Sequence, residues 1–200
     1  MTERVRTAVL ISGRGSNMAA LIGAAKNPNY PAEIVLVLSN APDAGGLNLA
    51  RAAGVEALAV DHRPFGKDRA AHEAALNVEL EARHVELIAL AGYMRVLTGD
   101  MTRRWAGRMI NIHPSLLPNF PGLNTHARAL AAGHTRHGAT VHWVVEGVDE
   151  GEPIAQTQVD VLPGDTEDTL AARVLAVEHQ LYVQGLAVAA EVLRRGLSRG

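Results

Sequence analysis

Short apolar runs alternate with segments of helical periodicity through the first half of the chain. Five of these runs have the length of buried strands: residues 8–11, 34–38, 57–60, 87–91 and 109–112. Between them, apolar residues recur at helical spacing in three segments: residues 17–25, 47–53 and about 68–83. Continuous apolar strands separated by helices are typical of a parallel sheet covered on both faces. The first half therefore predicts a doubly wound α/β fold.

The second half of the chain has a different pattern. Residues 139–145 and 154–161 are rich in β-formers and are separated by a short acidic turn that contains glycine, which predicts added antiparallel strands. A helix is predicted from the acidic residues 165–168 to about Arg194. No repeat or linker composition interrupts the chain, so one domain over residues 1–200 is expected. The predicted fold is a mostly parallel open sheet, with helices on both faces and antiparallel strands in the C-terminal half.

Composition and charge exclude several classes of protein. The chain has 200 residues, 48% of them hydrophobic and 20% charged, which suits one folded α/β domain. Its formal net charge of -2 argues against a general nucleic-acid binder, and the absence of cysteine excludes disulfides and thiol catalysis. The sequence has neither a signal peptide nor an apolar stretch approaching about 18 residues, so a cytoplasmic protein without membrane contact is expected.

A glycine-containing turn, SGRGSN at residues 12–17, joins the first predicted strand to the first predicted helix. Such a turn exposes the N–H groups of a helix N-terminus, which suits a phosphate. Met18 replaces the third glycine of a dinucleotide fingerprint, and the second strand ends in Asn40 where that fingerprint needs an acid. No Gly-Lys-Ser/Thr follows, so the turn is not a P-loop. From this segment alone, a phosphate site and an ordinary structural turn are equally supported.

Candidate chemistry concentrates in residues 111–126, which read NIHPSLLPNFPGLNTH. If residues 110–112 form a strand, Asn111 and His113 point to the same face at its carboxyl end, where open parallel sheets bind ligands. An acidic turn that begins at Asp149 follows the next β segment. An amide donor, an imidazole and a carboxylate are the groups that acyl transfer to an amine requires.

Two plainer interpretations of this segment stay open. A histidine near a strand end is often only a hydrogen-bonded structural residue. From the residues alone, a catalytic role for Asn111 and His113 is no better supported than a structural one. His113, His126, His137 and His142 could also form a metal site. No HExxH or comparable ligand spacing is present, so no metal is expected.

Several ordered motifs resemble one known family. The run NIHPSLLPNFPGLNTH is similar to the signature of the phosphoribosylglycinamide formyltransferase family, within the broader folate-dependent formyl-transfer superfamily. ISGRGSN, LAGYMRVL, HGATVHWV, VDEGEPIAQ and EHQLY extend the similarity over nearly the whole chain. Two positions depart from the family pattern, Glu152 in the acidic turn and Val183 after Tyr182.

The resemblance implies a reaction and its substrates. The family transfers the formyl group of 10-formyltetrahydrofolate, a co-substrate, to the amine of glycinamide ribonucleotide in de novo purine biosynthesis. It implies small-molecule substrates without nucleic acid, membrane or metal, and a monomer or homodimer. A nucleotide phosphate would bind in the N-terminal half, and the folate would bind beside the catalytic residues in the C-terminal half.

The family pattern also implies roles for individual residues. The catalytic residues would be Asn111, His113 and Asp149. The nucleotide would be held by Gly15, Ser16, Asn17 and Glu178. The folate would contact Arg69, Met94, Arg95, Val96, Leu97, Val145, Glu146, Gly147 and Val148. Taken singly, the arginines would be solvated charges, Glu178 an exposed helix acid, and Ser16 and Asn17 ordinary helix N-caps.

The implied mechanism is direct attack of the nucleotide amine on the formyl carbon. Asn111 and a protonated His113 would stabilise the oxyanion, and Asp149 would favour that protonated form. His142 is expected to support the site and His137 to belong to the framework.

Three rival functions are considered. A formyl-folate hydrolase usually has an additional N-terminal regulatory domain, and the first strand is expected within about ten residues of Met1. A methionyl-tRNA formyltransferase typically has a further C-terminal domain and a basic surface. An inert folate- or nucleotide-binding module on the same fold is the third. The set of Asn111, His113 and Asp149 argues against this third function.

Overall fold

The apolar runs form the centre of a seven-stranded sheet in the computed structural model, which describes residues 3–196. The strands are β1 Val5–Ile11, β2 Ala32–Ser39, β3 Ala57–Ala59, β4 Leu87–Leu90, β5 Met109–His113, β6 Arg136–Trp143 and β7 Pro153–Asp160. Their order across the sheet is β3-β2-β1-β4-β5-β6-β7. The first five strands pair in parallel, whereas β6 pairs antiparallel with both β5 and β7. The predicted mixed sheet is confirmed.

Helices cover both faces of this sheet. They are α1 Ser16–Ala25, α2 Gly45–Ala52, α3 Arg69–Ala82, α4 Gly99–Arg104, α5 Thr125–Ala131 and α6 Glu167–Arg194, with a 3-10 turn at Arg63–Phe65. Buried side chains of α1, α2 and α6 pack on one face of the strands. Those of α3 and α4 pack on the other face. Because the strands are buried on both sides, their sequences read as continuous apolar runs.

The long helix α6 packs closely against the strands that carry the site. A side chain at Gly185 would collide with Val141 of β6, since a Cβ there would lie 2.6 Å from Cγ1 of the valine. The Tyr182 hydroxyl donates a hydrogen bond of 2.8 Å to the carbonyl of Leu90 at the end of β4. Thr166 caps the helix, so α6 begins slightly after the predicted acidic start.

Several predicted boundaries need correction. Strands β6 and β7 both begin and end earlier than predicted, and residues 144–152 form a loop rather than a short hairpin turn. The sequence also did not predict α4, α5 or the 3-10 turn, because elements this short contain too few turns to show a periodic apolar face. The loops after β1, β4 and β5 leave the same edge of the sheet, and the candidate site lies there.

Candidate active site

Two side chains at the end of β5 point into one cavity. Asn111 and His113 are two residues apart on the strand and both line the cavity, as their predicted common face requires. In the antiparallel pairing with β6, Asn111 lies opposite His142 and His113 lies opposite Thr140. His113 is only 6% exposed, so regular strand pairing and burial hold it in place.

The ring of His113 lies between two oxygen acceptors. Its Nδ1 is 3.2 Å from Oδ2 of Asp149, a direct contact, and its Nε2 is 2.9 Å from the carbonyl oxygen of Phe120. Burial lowers the pKa of His113, while the Phe120 carbonyl and the Asp149 charge act in the opposite direction. Burial prevails, and the pKa of His113 lies below its ordinary value. With both ring nitrogens facing acceptors, the site accommodates the charged form when a proton arrives.

Asp149 connects the loop after β6 to the loop after β5, at the wall of the cavity. Its backbone has a positive φ of 57°, and its Oδ2 accepts a hydrogen bond of 2.8 Å from the N–H of Gly122. Burial alone would raise the pKa of Asp149, but the hydrogen bond from the Gly122 N–H and the neighbouring rings of His113 and His142 lower it, and the net direction is downward. The carboxylate is therefore charged near neutral pH and faces His113.

The contacts of His142 set the orientation of the Asn111 amide. Nδ1 of His142 lies 2.9 Å from the carbonyl of Trp143, an acceptor, so this nitrogen carries the proton in the neutral ring. Nε2 is then an acceptor, and the Asn111 Nδ2 at 3.2 Å donates to it. The second N–H of the amide remains available to the cavity. His142 Nε2 also lies 3.6 Å from Asp149 Oδ1, which completes what we call the catalytic cluster: Asn111, His113, His142 and Asp149.

The cavity beside this cluster has a volume of about 570 Å³. Two loop segments, which together we call the folate-binding rim after the role that the family resemblance implies, contribute every one of their residues to its lining: Met94, Arg95, Val96, Leu97, Val145, Glu146, Gly147 and Val148. Met94 is 71% exposed and Val96 is 62% exposed. Apolar side chains exposed around a concave site are typical of ligand pockets.

Arg69 does not line the cavity but supports its wall. Its Nη1 donates a hydrogen bond of 3.1 Å to the carbonyl of Val96, so the arginine has a specific contact rather than being only a solvated charge. On the other segment, Glu146 forms an ion pair of 2.9 Å with Arg103 of α4.

Three of the predicted nucleotide residues, Gly15, Ser16 and Asn17, lie at the start of α1, outside the lining of this cavity. Gly15 has a φ of 74° and is the N-cap, so Ser16 and Asn17 belong to the first turn and are not the caps. No side chain within residues 3–196 caps this helix, which leaves its first N–H groups able to bind an anion. A Cβ at Gly15 would lie 3.1 Å from the Cα of Gly46, so glycine is needed for close packing as well.

Glu178 is buried, which corrects the alternative of an exposed helix acid. Its Oε2 accepts a hydrogen bond of 2.7 Å from Nδ2 of Asn17, and burial raises its pKa. The Asn17 Oδ1 is buried and has no partner within the described part of the chain. The residues predicted to bind the nucleotide therefore come together from distant parts of the sequence.

The cavity also has lining residues to which the sequence assigned no role. They include Tyr93, Thr102, Leu123, Asn124, Thr125, His126 and Glu167. Several lie inside the run at 111–126, so the motif itself was the available signal, whereas nothing in the sequence marked Glu167. His126 and His137 contact each other at 3.1 Å between Nδ1 and Nε2. Across residues 3–196, no three His, Cys, Asp or Glu side chains are grouped to hold a metal, and no helix there could cross a membrane.

A comparison with protein families defines the class of this protein. Residues 5–186 match the family model described as formyl transferase. The chain therefore belongs to the formyl transferase family, and the resemblance seen in its motifs is confirmed.

Individual relatives narrow the comparison. A phosphoribosylglycinamide formyltransferase from Haemophilus influenzae is 42% identical over 177 residues, which is 88% of this chain and 83% of that protein. The trifunctional purine biosynthetic protein adenosine-3 of Drosophila melanogaster is 47% identical over 93% of this chain, but the match spans only 14% of that protein. The crystal structure of phosphoribosylglycinamide formyltransferase from Brucella melitensis is similar with a TM-score of 0.89 and 51% identity, covering 94% of this chain and 96% of that one.

Proposed function

We propose that this chain transfers the formyl group of 10-formyltetrahydrofolate to the amine of glycinamide ribonucleotide. The observation that carries the proposal is the catalytic cluster, in which an amide donor, an imidazole and a charged carboxylate meet at the wall of a cavity of about 570 Å³. The named formyltransferase relatives support the same reaction.

The two substrates would occupy adjoining parts of the site. The ribonucleotide phosphate binds the free N–H groups at the start of α1, with Glu178 contacting the ribose or glycinamide portion. The pterin ring enters the cavity between the two segments of the folate-binding rim, and Arg95 contacts a carboxylate of the folate tail. Ser12 joins the two subsites, because its Oγ accepts a hydrogen bond of 2.8 Å from the N–H of Met94.

The reaction requires only the two substrates. The lone pair of the glycinamide amine attacks the formyl carbon, and the carbonyl oxygen becomes an oxyanion that accepts a hydrogen bond from the Asn111 amide. The intermediate then collapses by breaking the bond from carbon to N10 of the folate. The proton lost by the attacking amine passes to N10, giving tetrahydrofolate and the formylated nucleotide. His113 carries this proton on its way from the amine to N10, and Asp149 stabilises the charge that the ring holds meanwhile.

A product assay tests this function. The purified protein is incubated with 10-formyltetrahydrofolate, with and without glycinamide ribonucleotide, and both products are followed by mass spectrometry. We expect formylated nucleotide only when the acceptor is present. Release of free formate independent of the nucleotide would identify a hydrolase, and no turnover would favour the inert binding module.

Three further properties remain predictions. We propose that residues 1–200 act as one formyltransferase domain, that the protein works in the cytoplasm, and that it is a monomer or homodimer. Size-exclusion chromatography with light scattering checks the last of these.

A further inference from the structure

The first segment of the folate-binding rim has no regular secondary structure. Residues 94–97 connect the end of β4 to the start of α4 without forming a helix or strand. No ladder or helical turn therefore fixes their backbone, although this segment forms a wall of the cavity. Side chains from other elements must hold the segment if it is to present a defined surface to a ligand.

One face of α3 supplies a row of such contacts. Four polar residues of this helix are spaced four apart and so lie on the same face: Arg69, Glu73, Asn77 and Glu81. Their partners are, in the same order, Val96, Thr98, Trp105 and Arg104, all between residues 96 and 105. The helix thus braces the rim segment and the short helix α4 that follows it.

Glu73 is the buried member of this row. It is only 5% exposed, and both of its carboxylate oxygens accept hydrogen bonds from Thr98. Oε1 accepts from the Thr98 backbone N–H at 2.9 Å, and Oε2 accepts from the Thr98 hydroxyl. A buried carboxylate used in this way has a high desolvation cost, which is offset only because both oxygens are paired.

Thr98 makes this contact relevant to the cavity. It follows the rim segment directly and is the N-cap of α4, where its hydroxyl accepts from the N–H of Met101 at 3.3 Å. Holding Thr98 therefore fixes both the C-terminal end of the segment and the start of the next helix. Arg69 holds the middle of the segment through the carbonyl of Val96, one helical turn earlier on α3.

We propose that Glu73 is a positioning residue for folate binding: it acts through Thr98 to hold residues 94–97 in the conformation that receives the pterin. The inference rests on the proposed function, since it assigns a folate to this cavity. A preordered wall loses less conformational freedom when the ligand binds, which strengthens binding. Glu73 itself does not line the cavity, so its influence on affinity is indirect.

The experiment measures tetrahydrofolate and glycinamide ribonucleotide binding by calorimetry for the wild type and for E73Q, T98V and T98S. E73Q keeps the size of the side chain but loses its charge, and T98V removes the hydroxyl donor. We expect the Kd for tetrahydrofolate to rise about 10-fold in both, on the scale of one charge-assisted hydrogen bond. T98S keeps the donor and should stay within about twofold of the wild type, as should nucleotide binding in every variant.

The matched control is E79Q on the same helix. Glu79 forms an ion pair of 2.7 Å with Arg83 and does not line the cavity, so folate affinity should not change. Melting temperatures measured in parallel separate a loss of stability from a loss of positioning. Unchanged folate affinity in E73Q and T98V, or an equal loss for both ligands, would overturn the inference. A wild type that binds no tetrahydrofolate would instead overturn the proposed function, and the inference with it.

Discussion

The catalytic cluster and the folate-binding rim are held in different ways. In the cluster, Asn111 and His113 are fixed by strand pairing, and close polar contacts connect the four side chains. In the rim, Met94 and Val96 project into the cavity from a segment without regular structure, and most of their side-chain surface is exposed.

This difference matches what the two regions would do. Stabilising an oxyanion requires a donor already aimed where charge develops, so its position must be set before the reaction. Binding a pterin requires apolar surface that the ligand itself covers, so that surface remains exposed until binding. A substitution in the cluster should therefore affect the chemical step, and one in the rim should affect affinity.

The largest expected effect belongs to the cluster. We expect N111A to lower kcat by about 100- to 1,000-fold, as for loss of a single oxyanion donor, with substrate affinities near those of the wild type. Steady-state kinetics with both substrates varied gives these values. A circular dichroism spectrum like that of the wild type serves as the control. Near-normal kcat would remove Asn111 from its assigned role.

A second prediction concerns His137, a buried residue of β6. Burial and the neighbouring His126 lower the pKa of His137 to about 4, so the folded protein binds fewer protons than the unfolded chain between about pH 6.5 and pH 4. His137 therefore contributes stability that is fully present above pH 6.5 and is lost as the pH falls towards 4. The loss approaches about 1.4 kcal/mol per pH unit for one proton.

Urea unfolding as a function of pH tests this contribution. In H137Q the free energy of unfolding should fall less steeply below pH 6.5 than in the wild type, with His72, His113 and His126 leaving a residual slope because their pKa values are also lowered. An identical slope in the two proteins would contradict the prediction.

A third prediction concerns Val96 in the folate-binding rim. V96S removes apolar surface from the cavity without disturbing a core, because Val96 is 62% exposed. We expect the KM for formyl-folate to rise about 10-fold, which is on the scale of partly burying a valine, while kcat at saturation and the melting temperature remain unchanged. A fall in kcat with an unchanged KM would reverse the assignment of the two regions.

The smallest effect is expected at Tyr93, next to the rim. Its hydroxyl is buried without a hydrogen-bond partner in the part of the chain that the structure describes. Y93F removes this unpaired group, so we expect the free energy of unfolding to stay the same or rise by up to about 1 kcal/mol. Chemical denaturation checks this, and a clear loss of stability would show that the hydroxyl has a partner.

The sequence predicted the parallel strands and the common face of Asn111 and His113 better than it predicted contacts between distant residues. The five parallel strands are apolar because both faces are covered, and that burial is visible as continuous runs. The common face of Asn111 and His113 follows from the two-residue period of a strand. These features depend on local pattern, which a sequence displays directly.

Features that depend on distant contacts were not predictable in this way. Glu178 looks like an exposed helix acid because its partner Asn17 is 161 residues away. The lowered pKa of His113 depends on burial in the folded protein, which no local pattern reveals. The link from Glu73 to Thr98 likewise appears only when α3 packs beside the rim.

Asp149 adjoins both regions, because it directly follows the second rim segment and contacts His113. The variant D149N therefore tests the comparison most directly. Asparagine tolerates the positive φ of this position and keeps the shape of the side chain, but it removes the charge that faces His113. In single-turnover formyl transfer, we predict a rate loss of about 100-fold or more, with the Kd for tetrahydrofolate within about twofold of the wild type. A normal rate combined with weakened folate binding would contradict the account.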